Sequence, residues 1–234
     1  MRSAGCIVND ILDRKYDKKV FRTQDRPIAS GKISVKLGII YSIILCSIAF
    51  LVLINFNYFT ILLALGSMPL AFSYPLMKRF TYWPQLFLGI TFNYGLLLGW
   101  TSINEEINML PFIFYLGAIF WTLGYDTIYG FQDIEDDEII GVKSTSIKFK
   151  KDPKKFLFIC YSITTFSLLF LGIYMNFNFS FLFFGLALII GHLFLFQINS
   201  FNSKNVSQCL RIFKSNNSFG LLVIIFIFLG KLNL

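Results

Sequence analysis

The residues best suited to chemistry stand in two acidic stretches. The first is Asn9-Asp10-Ile11-Leu12-Asp13-Arg14-Lys15-Tyr16-Asp17. Read as a helix, it places Asn9, Asp13 and Asp17 at i, i+4 and i+8, on one face. Acceptors crowded in this way repel one another unless something cationic sits between them. The second stretch runs from Asp126 to Glu138 and closes an apolar run. On a continuous helix Asp126, Gly130, Asp133 and Asp137 lie along one stripe, with Gly130 leaving room beside three carboxylates. Ten of the 13 acids fall in these two regions, Asp25 included. Hard oxygen donors at this density suit Mg²⁺, which is often shared between one or two carboxylates and a substrate phosphate. The candidate ligands are Asn9, Asp10, Asp13, Asp17, Asp133 and Asp137, whereas Glu135 and Glu138 read as a solvated loop face.

Cations follow each stretch. Arg22 and Arg26 lie just after the first, Lys143 just after the second, and Lys78 and Arg79 in Ser73-Tyr74-Pro75-Leu76-Met77-Lys78-Arg79. Arginine offers a fork that matches phosphate and lysine a point charge. Carboxylates, a divalent metal and cations around one cavity suggest a diphosphate substrate. Beside a membrane, the natural diphosphate carries an isoprenoid tail.

The elements that must position these groups are membrane helices. Of 234 residues, 56% are hydrophobic and 15% charged, and the mean hydropathy is +0.65. A soluble domain carries about a quarter charged residues. The apolar residues come in runs of about 20, long enough to span a bilayer. Seven spans are expected, near 36–54, 58–77, 83–101, 109–130, 156–175, 179–198 and 216–234, with Ser34 as a candidate cap for the first. Pro69 and Pro75 should kink the second. Residues 1–12 form only part of a helix and are too short to span.

The net charge of +8 invites a nucleic-acid reading, but it is topological. Nineteen of the 21 Lys and Arg residues fall in 14–36, 78–79, 143–155 and 204–214, while the loops near 55–57, 102–108 and 176–178 hold none. This alternation is the positive-inside pattern. It places both acidic stretches at the cytoplasmic ends of spans, where they can meet, and no nucleic-acid partner is expected. The four cysteines have neither metal-ligand nor disulfide spacing. No cleavable signal pattern is legible at the start. His192, inside an apolar run, reads as a partnered core histidine.

Asn9-Asp10-x-x-Asp13-x-x-x-Asp17, Tyr74-x-x-x-Lys78 and Asp133-x-x-x-Asp137 together resemble the motifs of the UbiA-type intramembrane aromatic prenyltransferases. They occur in order and on one side, and the resemblance covers the whole chain as a single domain, 1–234. Tyr125-Asp126-Thr127-Ile128-Tyr129 through Gln132-Asp133-x-x-Asp136-Asp137, then Gly141-Val142-Lys143-Ser144-Thr145, is similar to the 4-hydroxybenzoate polyprenyltransferase branch.

The resemblance implies an all-α bundle of the nine-helix type, here with about seven full spans and a partial first helix. The family's first span and most of its second are absent from the sequence. It further implies Mg²⁺-dependent transfer of a polyprenyl group from a polyprenyl diphosphate to 4-hydroxybenzoate, in ubiquinone biosynthesis. Asn9, Asp10, Asp13, Asp17, Asp133 and Asp137 would hold metal, and Arg22, Arg26, Tyr74, Lys78 and Lys143 the diphosphate. Lys78 and Asp126 would act in catalysis, Asp126 by orienting the phenol or accepting a proton. The expected location is a bacterial inner membrane, with the site facing the cytoplasm. Left open are another UbiA-type branch (menaquinone or haem O), a non-catalytic remnant, and a transporter using its intramembrane acids.

Overall fold

The computed structural model describes residues 2–231, apart from the side chains of Arg2, Ser180 and Phe181; Met1 and the end of the last expected span, 232–234, lie outside them. Among the described residues all regular structure is helical. Helix α1 (Arg2–Asp17) leads through a turn-rich connection to α2 (Val35–Leu53). Ser34 caps α2, its hydroxyl accepting from the Leu37 N–H at 3.2 Å. Asn57 caps α3 (Tyr58–Ser73) in the same way through Thr60. Pro69 sits inside α3, and Pro75 opens a 3₁₀ turn, Tyr74–Leu76, that re-aims the chain into the short α4 (Met77–Phe80). Proline cannot donate to the preceding turn, so the bend falls where the sequence places it.

The chain continues through α5 (Pro84–Asn104), α6 (Met109–Gly130), α7 (Ile134–Ile140), α8 (Thr145–Lys148), α9 (Pro153–Tyr174), α10 (Phe179–Ile190) and α11 (Val206–Lys231). Prolines 84 and 153 stand at the first turns of α5 and α9, where a missing N–H costs nothing. Among the described residues, six helices are long and apolar enough to cross a membrane: α2, α3 with α4, α5, α6, α9 and α11. The chain is therefore an integral membrane protein. The remaining expected span is shorter, Leu182–Ile198 among the described residues, and winds as a π-helix from Gly191 to Ile198. The basic stretch 204–214 is not a loop throughout. Asn205 accepts from the Gln208 N–H at 3.0 Å, and helix α11 starts at Val206, so Arg211 and Lys214 lie within it.

The buried core cluster lies entirely beyond residue 109, where α6, α9, α10 and α11 meet around Leu123, Leu157, Tyr161, Leu193 and Phe219. Small residues bring these helices close: a Cβ at Gly117 would strike Ser167, and one at Gly124 would strike the Tyr161 ring. A polar chain crosses the same core. The Tyr161 hydroxyl donates to Gln197 Oε1 at 2.5 Å, Gln197 Nε2 to Asn216 Oδ1 at 3.0 Å, and Trp121 Nε1 to that same oxygen at 2.8 Å. In contrast α2 buries only Gly38 and Ser42 and turns large apolar side chains outward, as a lipid-facing helix does. His192 contacts Ser215 and the rings of Phe196 and Phe219, in keeping with a partnered core histidine.

Candidate active site

One cavity of about 260 Å³ lies where α1 faces the ends of α6 and α7. Helix α1 is uninterrupted, and Asn9, Asp13 and Asp17 do share the face that lines the cavity. Asp13 and Asp17 are 3% and 6% exposed, so both carboxylates are largely withdrawn from water. Asp10 is not part of the cavity wall; it accepts from Arg26 Nη1 at 3.0 Å.

The opposite wall departs from the expected stripe. Helix α6 stops at Gly130, and α7 restarts at Ile134 with Asp133 in the capping position. Asp126, Gly130, Asp133 and Asp137 all still line the cavity, but on two short-coupled helices rather than one. The space that Gly130 leaves is shared with Ser146, whose hydroxyl a Cβ would strike and which donates instead to the Thr127 carbonyl at 2.7 Å.

The acids and cations singled out by sequence are largely paired with each other. Arg22 clamps Asp133, its Nε donating to Oδ1 at 2.8 Å and to Oδ2 at 3.0 Å, with a further bond from Nη2 to Oδ2. Its Nη1 donates to the Tyr129 hydroxyl at 2.6 Å. These bonds, above all those to Asp133, raise the Arg22 pKa further and keep the guanidinium charged. Arg26 joins Asp17 at 3.1 Å as well as Asp10. Lys78, brought down by the Pro75 turn, reaches Asp13 Oδ2 at 2.7 Å. Lys143 lines the rim, donating from Nζ to the Phe80 carbonyl at 3.2 Å and lying above the Tyr82 ring.

Two carboxylates on the cavity wall differ. Asp126 and Asp137 have no hydrogen bond or ion pair among the described residues, and Asp126 lies within electrostatic reach of Tyr74. Burial, and then the neighbouring charge of Asp133, pushes Asp137 up to about 6. One oxygen of Asp13, Oδ1, is also buried without a hydrogen-bond partner. Glu138 faces away and pairs with Lys150 at 2.8 Å, as a solvated loop acid would.

Several contacts at the site carried no legible signal, even where the sequence singles out the residue itself, as it does Arg79. Arg79 donates to the Leu12 carbonyl at 2.8 Å and lies over the Tyr16 ring, pinning the end of α1. Tyr129 holds Arg22, and Gln85, 7% exposed, projects into the cavity from α5. A contact between residues more than 50 positions apart leaves no periodic trace in the sequence.

The arrangement can hold a polyanion. Asp10, Asp13, Asp17 and Asp133 are now paired with four of the chain's own cations, Arg22, Arg26, Lys78 and, at 3.9 Å from Asp13, Arg79. An incoming diphosphate would draw the cations to itself and release the acids to divalent metal, with no buried charge left unpaired.

Comparison with known proteins identifies the family and the fold. The chain matches the UbiA prenyltransferase family over residues 1–227. It is 41% identical to the mitochondrial 4-hydroxybenzoate polyprenyltransferase of Bos taurus, over 99% of this chain and 62% of that protein. It is 40% identical to the 4-hydroxybenzoate octaprenyltransferase of Francisella tularensis subsp. novicida, over 96% of this chain and 78% of that one. The chain thus spans about three fifths of the length of the bovine relative. Among solved structures, the apo UbiA homologue of Aeropyrum pernix superposes with a TM-score of 0.85 at 21% identity, covering 99% of this chain and 86% of that one. The Archaeoglobus fulgidus homologue solved with GPP and Mg²⁺ gives 0.71 at 20% identity, covering 97% and 81%. The fold is shared with both, and the chain belongs to the UbiA prenyltransferase family.

Proposed function

We propose that this protein transfers a polyprenyl group from a polyprenyl diphosphate to the ring of 4-hydroxybenzoate, with Mg²⁺, as a step of ubiquinone biosynthesis. The observation that carries the reading is the convergence of Asp13, Asp17, Asp133 and Asp137 with Arg22, Arg26 and Lys78 on one cavity. The names of the bovine and Francisella relatives point to the same substrates.

The donor set fits Mg²⁺. Among the described residues no three carboxylate, histidine or cysteine groups converge closely enough to cage an ion by themselves. Mg²⁺ does not require such a cage, since it keeps waters and takes one or two carboxylates plus phosphate oxygens. Asp13 Oδ1, which makes no hydrogen bond and faces Arg79 only at 3.9 Å, and the unpaired Asp137 carboxylate are oxygens of that kind. Asp13 and Asp17 would hold metal on one wall, helped by Asn9, and Asp133 and Asp137 on the other. Asp10 contributes by holding Arg26. Bound Mg²⁺ supplies Lewis-acid neutralisation of the diphosphate oxygens.

The chain's own groups account for the remaining steps. Arg22, Arg26 and Lys78 bind the diphosphate and stabilise the charge it gains as the C–O bond breaks and the bonding pair leaves with it. Lys143 and Tyr74 complete the phosphate end. The aliphatic part of the wall, with Leu88, Ile140 and Val142, would shield the allylic cation from water that would quench it. The ring carbon ortho to the phenol attacks that cation, and the ring proton then leaves. Asp126, close to the reacting end and without a cation of its own, orients the phenol or accepts the proton. The site opens on the side of the basic loops, which in a bacterial inner membrane is the cytoplasm.

The test is direct. Purified protein in membranes, given Mg²⁺, 4-hydroxybenzoate and a polyprenyl diphosphate, should yield the ring-prenylated acid, and chelating Mg²⁺ should stop its formation. A folded sample that makes no product overturns the assignment.

A further inference from the structure

Gln85 is a buried amide with only half of its hydrogen-bonding capacity directed into the protein. The Thr145 N–H donates to its Oε1 at 2.9 Å, which settles which end of the carboxamide is oxygen. That anchor is rigid: the Ser144 hydroxyl caps α8, the hydroxyls of Thr145 and Thr127 meet at 2.6 Å, and Ser146 bonds the Thr127 carbonyl. Because the amide is planar, Nε2 points away from Thr145. It has no acceptor among the described residues, and it lies 3.5 Å from where a Gly130 Cβ would be. Gln85 also lines the cavity. Nε2 is open to the cavity, so a ligand oxygen bound there would meet a donor that the protein itself leaves free.

Asp126 lines the same cavity one helical turn before Gly130, so its Cβ is about 6 Å from the Gly130 position on the same face. It is likewise without a partner among the described residues. A free donor and a free acceptor, both beside Gly130 on one cavity, suit one small group that both accepts and donates. A hydroxyl does both through a single atom.

We propose that Gln85 is a specificity-determining residue whose Nε2 donates to the phenol oxygen of the aromatic acceptor, while that phenol's O–H donates to Asp126. The inference rests on reading the cavity as the site of aromatic prenylation, and adds which chemical handle of the acceptor is recognised. A ring amine donates but accepts poorly, because its lone pair is delocalised into the ring. A methoxy group accepts but cannot donate. Both should therefore bind less well than the hydroxyl.

Binding of 4-hydroxybenzoate, 4-aminobenzoate and 4-methoxybenzoate to the detergent-solubilised protein, measured by equilibrium dialysis without prenyl diphosphate, tests this. The unaltered protein should favour the hydroxyl over the amine about tenfold. Gln85→Glu keeps an acceptor for Thr145 and replaces the donor by a second acceptor, so it should abolish or invert that preference. Gln85→Met, neutral and of similar length, should abolish it without a buried charge. Thr127→Val loosens the same anchor but leaves Nε2 in place, so the preference should persist. A preference unchanged in both Gln85 variants overturns the proposal, as does its absence from the unaltered protein. Hydroxyl-selective binding that depends on Gln85, with no prenylated product on adding prenyl diphosphate and Mg²⁺, refutes the proposed reaction and leaves Gln85 standing. Product formation with an unaltered ligand preference in the variants does the reverse.

Discussion

On the α1 wall of the cavity, Asn9, Asp13 and Asp17 stand on one unbroken helix, and the two carboxylates are held by Lys78 and Arg26. On the facing wall the helix breaks between Gly130 and Ile134, and two of the three cavity acids, Asp126 and Asp137, have no cation bound to them. The walls also differ in what stands behind them. Behind α1 is α2, with Gly38 close to Ile28 and Ile11 but little else buried. Behind α6 lies the whole packed core. One wall is thus ordered by its charges and the other by its packing. Charge on the first wall is exchangeable, whereas the second supplies a fixed frame with open acceptors. A site that must take up a polyanion and metal, then release both, needs one of each.

The largest effect should come from removing a carboxylate from either wall. Asp13→Asn and Asp137→Asn are each expected to lower kcat on the order of 10³-fold, the scale of losing a charge-stabilising group in a closed site. Initial rates across a Mg²⁺ series check this, since excess metal should restore neither variant. If only one substitution matters, the two walls do not act together on the diphosphate.

A smaller effect is expected at the bridge between the walls. Arg22 leaves the connection after α1 and grips Asp133 at the start of α7, with Tyr129 holding its other edge. Arg22→Ala should raise KM for the prenyl diphosphate about 10- to 100-fold, the range for hydrogen bonds to a charged group. Arg22→Lys should recover only part of that, because an ammonium cannot make the paired bonds. Stability should change little, as the Arg22 side chain is 37% exposed. KM values for the two variants, set beside their unfolding curves, separate a binding role from a structural one.

The same contrast explains what could be read from the sequence. The α1 face was legible because four-residue spacing on an uninterrupted helix is a local property. The positions of the basic loops were legible because topology writes them directly into composition. The stripe Asp126–Asp137 was not, because it assumed a continuous helix. A signal was present: Asp133 precedes Glu135, Asp136 and Asp137, an acid at the cap with three more in the first turn, the pattern of a fresh helix start. Even so, the Asp133 carboxylate caps nothing, because Arg22 takes it. The contacts of Gln85, Arg79 and Tyr129 depend on distant segments of the chain, and no spacing rule within one helix could find them.

Behind the second wall, packing should be tested without touching the site. Gly124 lets α6 meet the Tyr161 ring, and a Cβ there would run into it. Gly124→Ala is expected to destabilise by about 1–3 kcal/mol, the usual range for overpacking. KM for both substrates should stay near its original value, since Gly124 does not line the cavity. Thermal unfolding in detergent, followed alongside KM, reads both quantities. A large KM change with little loss of stability would mean that the frame is not passive.

The smallest effect belongs to an acid just beyond the cavity. Glu138 lies one position past Asp137, yet it points out to Lys150, with side chains 39% and 52% exposed. Water screens such a pair and two flexible side chains must be held to form it, so it contributes about 0–1 kcal/mol. Glu138→Gln should accordingly leave kcat and Mg²⁺ dependence within about twofold and shift stability by less than 1 kcal/mol. Adjacent residues of one helix point about 100° apart, so Asp137 and Glu138 face different surroundings although they are neighbours in sequence. Measured together, Asp137→Asn and Glu138→Gln ask whether orientation or local negative charge makes the second wall work. Equal losses in the two would favour a diffuse acidic field over the directed set of oxygens, and would remove the distinction between the walls.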